Sequence, residues 1–339
     1  MENAPRQSFL GRMAPAFTLA LLAPLLAEIL PGATRFSAIF VFPIEVCVWG
    51  IGAVLIREVV RRKGLGWASL LLLALVLAIA EECLIQQTSL APLVIQLKGE
   101  TYARAFGVNY VYLLWALMYE SVYVVLLPIL LAELLFPARR SEGWMSRTGL
   151  AISLILLTLG GLLAWFSWTQ IARVQVFHLA AYNPPLVAVV AAVGGMLLLI
   201  LAALGPARRF AIGAAIRPPS PWLLGLGGAI WAVLVFGLCL LAFGIKPDFP
   251  PAAAIGGGLA LSALVIALLP RFAAHPDWCP VDRYGLLFGT MIGSMGISFI
   301  GFIGAAPADL WFKIVADAFA LLGLTWLGVR LRRSGTHPR

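Results

Sequence analysis

The chain has 339 residues, of which 62% are hydrophobic and only 12% charged, and its mean hydropathy is +0.97. So little polar surface excludes a soluble globule and points to a polytopic membrane protein. The formal charge of +9 does not indicate a nucleic-acid partner, because the basic residues are spread over short connections and not gathered on one face.

Apolar stretches of spanning length, roughly 20 residues each, follow one another at 13–31, 36–56, 66–87, 108–136, 148–168, 184–205, 221–244, 251–270, 284–305 and 308–329. They predict an all-α bundle of about ten transmembrane helices forming one integral membrane domain over residues 1–339. The first stretch follows Arg6 and Arg12, but it is long and carries Glu28 before Pro31, so it reads as a retained helix and not a cleaved signal. Lys and Arg concentrate on the cytoplasmic side of membranes. With the N-terminus inside, 18 of the 24 basic residues fall in inner segments, while Arg35, Lys98, Arg104, Arg173 and Lys246 fall in outer ones and Lys313 just inside the last helix. Both termini are therefore expected to be cytoplasmic, with Arg57, Arg61, Arg62 and the other inner arginines acting as topology determinants.

The third helix carries Glu81 and Glu82 near its outer end, with Gln86 one turn beyond on the same face. A carboxylate at a helix centre costs about 2.5–3.5 kcal/mol on insertion, so such acids face protein, water or a partner. On the fourth helix Asn109, Tyr112, Tyr119, Glu120 and Tyr123 fall within roughly 100° at regular helical spacing. This polar and aromatic stripe can meet the third helix. Glu28 near the outer end of the first helix and Glu45 in the second can join them, Glu28 and Glu133 reading more simply as structural groups near the interfaces. Pro24 and Pro43 precede Glu28 and Glu45, and proline frees carbonyls that can line a polar cavity.

In the ninth helix Gly285, Gly289, Gly293 and Gly296 provide a close-packing face. In the tenth, Asp309, Lys313 and Asp317 are spaced four apart on one face. There Lys313 can pair with either acid and snorkel outward with Asp309, leaving Asp317 as the deeper candidate. The five-helix halves do not resemble each other, since the acids within spans are concentrated in the first half. Cys47, Cys83 and Cys239 lie in apolar spans and Cys279 in an inner loop, without metal-type spacing, so no disulfide is expected. Of the histidines, His337 is in the tail, His275 in an inner loop, and only His178 lies on the outer side.

Between about residues 23 and 92, Ala23-Pro24 with Ala27-Glu28, Leu55-Ile56-Arg57-Glu58, Arg61-Arg62, Gly64-Leu65-Gly66-Trp67 and Glu81-Glu82 with Gln86 resemble a group of uncharacterised bacterial multi-pass membrane proteins. The resemblance implies a bacterial inner-membrane location and no particular activity. Glu81-Glu82 is also similar to the first motif of the CAAX-protease and bacteriocin-processing intramembrane metalloproteases, although Gln86 stands where that motif has an arginine. The family's later histidine motifs have no counterpart: Glu120 occupies the helix where a histidine is required, and His178 to Asn183 is one residue too long.

The residues thus lead to an outward-facing intramembrane cavity lined by Glu81, Glu82, Gln86, Asn109, Tyr112, Tyr119, Glu120 and Tyr123, with Asp317 as a further candidate. The expected function is a proton- or ion-coupled transporter or binding protein for an ion or small molecule, with no cofactor. The alternative implied by the motif is a hydrolase using Glu81 and Glu82 to activate water at a divalent metal, with Glu82, Glu120 and His178 as candidate ligands. A membrane scaffold or assembly factor is the third expectation.

Overall fold

The structure is a computed structural model that describes residues 9–92, 102–209, 213–240 and 248–334. Arg6, Lys98, Lys246, His337 and Arg339 lie outside the described residues. Ten helices among the described residues are long and apolar enough to cross a bilayer. They are α1 (Gly11–Ile29), α2 (Phe36–Arg62), α3 (Trp67–Ile85), α4 (Tyr110–Leu135), α5 (Arg147–Gln175), α6 (Leu186–Leu204), α7 (Pro221–Leu238), α8 (Pro251–Ala273), α9 (Pro280–Phe302) and α10 (Pro307–Arg333). The chain is a multi-pass membrane protein with an all-helical membrane domain. Helices are a natural outcome, because in hydrocarbon every backbone N–H and C=O must be satisfied internally, and an α-helix does so within its own segment.

α2 and α5 run beyond the apolar stretches seen in the sequence. Arg57, Arg61 and Arg62 continue α2, and Arg173 lies in the last turns of α5. Proline opens α7, α8, α9 and α10, where its missing N–H is no loss. Ser146 caps α5 by accepting from the Gly149 N–H at 3.0 Å.

Burial divides the bundle into a core and a rim. About 67% of α4 and 50% of α1 and α9 lie inside the protein, against 11% of α5 and α8 and 6% of α6. The rim helices present Leu, Val and Ile side chains outward, as a surface bathed in lipid should. α7 and α9 approach most closely. A Cβ added at Gly285, Gly289 or Gly293 would stand 2.5 Å or less from the carbonyl oxygens of Pro221, Gly225 and Ala229 respectively. The fourth glycine of the expected stripe, Gly296, faces open space and does not contribute.

The two ends of the bundle are built differently. At the basic end Arg57 is 1% exposed, so it is a structural ion and more than a topology signal. Its guanidinium donates to the carbonyls of Glu142 at 2.6 Å and Arg140 at 2.7 Å, pairs with Glu58 and Glu133 at 3.4 Å each, and lies 3.3 Å from the centre of the Trp144 ring. Arg61 grips Glu133 through two 2.7 Å bonds, and Arg139 donates to the Arg12 carbonyl at 2.9 Å. The start of α1 and the ends of α2 and α4 are thereby tied together. At the opposite end Arg35 donates to the Gly301 carbonyl at 2.9 Å, and Asp309 accepts from the N–H and hydroxyl of Ser37 at 3.0 and 3.2 Å. This places the α1–α2 and α9–α10 connections on one side and the arginine network on the other.

Candidate functional site: a carboxylate cluster at four π-turns

Four core helices widen by one residue at neighbouring positions. The π-turns are Leu25–Ile29 in α1, Val46–Gly50 in α2, Ala80–Ile85 in α3 and Glu120–Leu126 in α4. A π-turn interrupts regular hydrogen bonding and recurs at functional sites. Here each coincides with an acid: Glu28 lies within the first, Glu45 immediately precedes the second, Glu81 and Glu82 sit in the third, and Glu120 begins the fourth. Pro24 directly precedes the α1 turn and offers a local cause for it. A fifth π-turn, Phe166–Ala172 in α5, carries no acid.

The five carboxyl groups form one electrostatic cluster. Glu81 interacts with Glu120, Glu82 and Glu28, Glu120 also with Glu82, and Glu28 with Glu45 and Glu120. All five are buried, from 2% exposure at Glu81 and Glu82 to 9% at Glu28. None of them forms an ion pair with a described Lys, Arg or His.

Neutral donors do reach them. The Trp49 indole N–H donates to Glu120 Oε2 at 3.1 Å, the Ser89 backbone N–H donates to Glu82, and the Thr34 hydroxyl bonds to Glu45 and lies 3.5 Å from Glu28. Glu81 Oε1 and Glu45 Oε2 are buried without a hydrogen-bond partner, which is costly unless a proton or cation completes them. Beyond α3 the chain turns back over Glu82. Gln87 adopts φ +61°, unusual for a side chain of its size, and donates to the Leu84 carbonyl at 3.0 Å. A short hairpin pairs Arg104 with Asn109 and Ala105 with Val108, and Arg104 donates to the Leu90 carbonyl at 3.0 Å. The turn thus lies against Glu82, and the hairpin is fastened to the turn.

The tyrosines of the α4 stripe form a column beside the acids. Trp115, Tyr119 and Tyr123 stack at 4.9 Å spacings, Tyr123 stacks on Trp231 of α7 at 6.5 Å, and Phe236 meets three of these rings edge-on. The Tyr119 hydroxyl donates to the Ala27 carbonyl in the α1 π-turn, and Tyr112 packs against Trp115 at 5.7 Å.

The remaining candidates take other places. Asn109 caps α4, accepting from the Tyr112 N–H at 3.0 Å, and its own N–H donates to the Ser89 carbonyl at 2.9 Å. Gln86 is half-buried at the end of the α3 π-turn. Asp317 accepts from Lys313, whose ammonium also donates to the Leu30 carbonyl at 2.6 Å and lies 4.6 Å from the centre of the Phe299 ring. At 1% exposure Lys313 does not snorkel, and it pairs with Asp317 and not Asp309, because Asp309 is taken by Ser37. His178 is exposed, and no group of three or more His, Cys, Asp or Glu among the described residues is arranged to hold a metal ion.

Sequence reasoning undervalued Glu28 and Glu45 and missed Trp49, Trp115 and Thr34 altogether. A usable signal existed for one of them: Trp49 lies four residues after Glu45, on the same helical face.

Fold and site together define a polytopic helical membrane protein built around a buried carboxylate cluster. Compared with protein-family models, curated proteins and solved structures, the chain matches none.

Proposed function

We propose that this protein is a proton- or cation-coupled transporter of a bacterial inner membrane, with Glu28, Glu45, Glu81, Glu82 and Glu120 as the coupling site. The supporting observation is the burial of five interacting carboxyl groups with no cationic side chain paired to them among the described residues. An isolated buried charge is so unfavourable that the group takes a proton or a counter-ion. The cluster therefore exchanges protons for a cation or a cationic substrate such as an amine, the occupant changing as the helices rock. The turn at Gln87–Ser89 and the hairpin act as its cover on the side opposite the arginine-rich, cytoplasmic end. π-turns in all four contributing helices support this reading, since such turns recur at functional sites. Tyr112, Tyr119 and Tyr123 form the wall of the site, and Gln86 stands at its entrance.

The hydrolase alternative has less support, because Glu81 and Glu82 have no histidine partner among the described residues and His178 is on the surface. The test is cation-driven proton movement in liposomes containing the purified protein and a trapped pH dye, with Na+, Mg2+, Mn2+ and a small primary amine added singly. One of these should release protons from the wild type, and the Glu81→Gln/Glu120→Gln variant should lose at least nine-tenths of the signal. An unchanged signal in the variant, or no proton movement with any of the four, contradicts the proposal.

A further inference from the structure

An apolar cavity of about 250 Å³, with none of the clustered carboxylates in its lining, is formed by α3, α4, α7, α8 and α9. Its lining runs along α4 from Val122 to Leu130 and along α8 from Leu264 to Phe272. Eight residues of helix correspond to roughly 12 Å, so the chamber is elongated along the helix axes. Leu223 of α7 and Leu264 of α8 both line it and are 43% and 48% exposed, which opens it sideways between these helices to the hydrocarbon phase. Its lower end, marked by Trp67, Pro219 and Phe272, lies at the basic end of the bundle. Exposed Lys63 opens the four-residue connection that leads into Trp67, Arg217 stands two residues before Pro219, and Arg271 is next to Phe272. Arg217 is 69% exposed and shares its charge with Asp277 at 3.1 Å, while Arg271 donates to the Ala214 carbonyl at 3.0 Å.

We infer that this cavity holds the headgroup-proximal part of one acyl chain of an anionic phospholipid, whose phosphate lies among Lys63, Arg217 and Arg271. The length fits a segment of a single hydrocarbon chain standing parallel to the helices, and the sideways opening lets the rest of the chain remain in the adjoining leaflet. Three basic residues at the headgroup end provide charge complementarity, as in basic pockets between transmembrane helices that bind anionic headgroups. The inference is independent of the carboxylate site, since no acid of that cluster lines the cavity.

Gly227 provides the clean test. It lines the cavity, and a Cβ added there has nothing within 4 Å, so a larger side chain fills the chamber without striking the backbone. The full-length protein is taken from nanodiscs of equimolar phosphatidylglycerol and phosphatidylcholine with identical chains, and bound lipid is counted by native mass spectrometry. Wild type should retain one phosphatidylglycerol at least fivefold over phosphatidylcholine, and Gly227→Phe should retain at least tenfold less. Arg217→Gln/Arg271→Gln should keep a bound chain but lose the headgroup preference. Equal retention of both lipids by wild type, or undiminished retention by Gly227→Phe, overturns the inference. A photoactivatable phosphatidylglycerol needs no variant: adducts on α7 and α8 facing the cavity are expected, and adducts confined to other surfaces overturn it as well.

Discussion

Trp49 of α2 donates its indole N–H to Glu120 of α4 across 3.1 Å, joining two π-turns from different helices through one buried bond. Loss of a hydrogen bond to a buried polar group costs about 1–3 kcal/mol. Trp49→Phe should therefore destabilise the detergent-solubilised protein by an amount in that range, read out as a lowered thermal midpoint. In a double-mutant cycle with Glu120→Leu, which removes the acceptor, the two effects should be non-additive by about 0.5 kcal/mol or more, the coupling typical of contacting residues. Strict additivity would mean that the bond is not formed in the membrane-derived protein.

Lys313 and Asp317 make a buried pair, and the lysine also holds the Leu30 carbonyl at the end of α1. Removing one partner leaves an uncompensated charge and costs about 3–5 kcal/mol. Lys313→Met should be severely destabilising in a thermal-melt assay, and Lys313→Met/Asp317→Leu should recover much of the loss. No recovery in the double variant would assign the cost to the carbonyl contact and not to the ion pair.

The small-residue contact of α7 with α9 is sharply positional. Gly289→Leu should abolish folded protein in size-exclusion chromatography, because even a Cβ would collide with the Gly225 oxygen. Gly296→Leu, where nothing lies within 4 Å, should leave yield and elution volume unchanged. Equal behaviour of the two variants would refute the observed helix approach.

Arg57 holds the basic end by meeting two carboxylates, three carbonyls and the Trp144 ring. Arg57→Gln should raise amide hydrogen exchange in 137–146 by at least tenfold while leaving the centre of α9 unaffected. Lys at the same position should rescue little, since an ammonium cannot reproduce the planar fork.

The helical architecture was legible because apolar length is a strong signal, and the ten spans fall where hydropathy places them. α2 and α5 escaped full delineation for a physical reason: their last turns contain Arg57, Arg61 and Arg173, which are polar in sequence but satisfied by partners within the protein, Glu133 for the first two and backbone carbonyls for the third. The gathering of Glu81, Glu82 and Glu120 followed from helical spacing along α3 and α4. Glu28 and Glu45 were harder to weigh, because a helical wheel assumes regular geometry and each π-turn adds a residue, rotating everything beyond it by about 100°. Pairings such as Trp49 with Glu120 or Lys313 with the Leu30 carbonyl join segments far apart in the chain, and no local pattern announces them.

Coupling at this site requires that the five carboxyl groups be charge-balanced by protons when no cation is bound. Infrared spectroscopy reads this directly through the C=O stretch of protonated carboxyl groups, recorded at neutral pH in a buffer whose sole cation is a bulky quaternary ammonium. The expected result is a carboxylic-acid band that weakens in Glu81→Gln and Glu120→Gln and is displaced by the cation that drives proton release. A spectrum without that band, with all five groups ionised under these conditions, would contradict the proposed coupling.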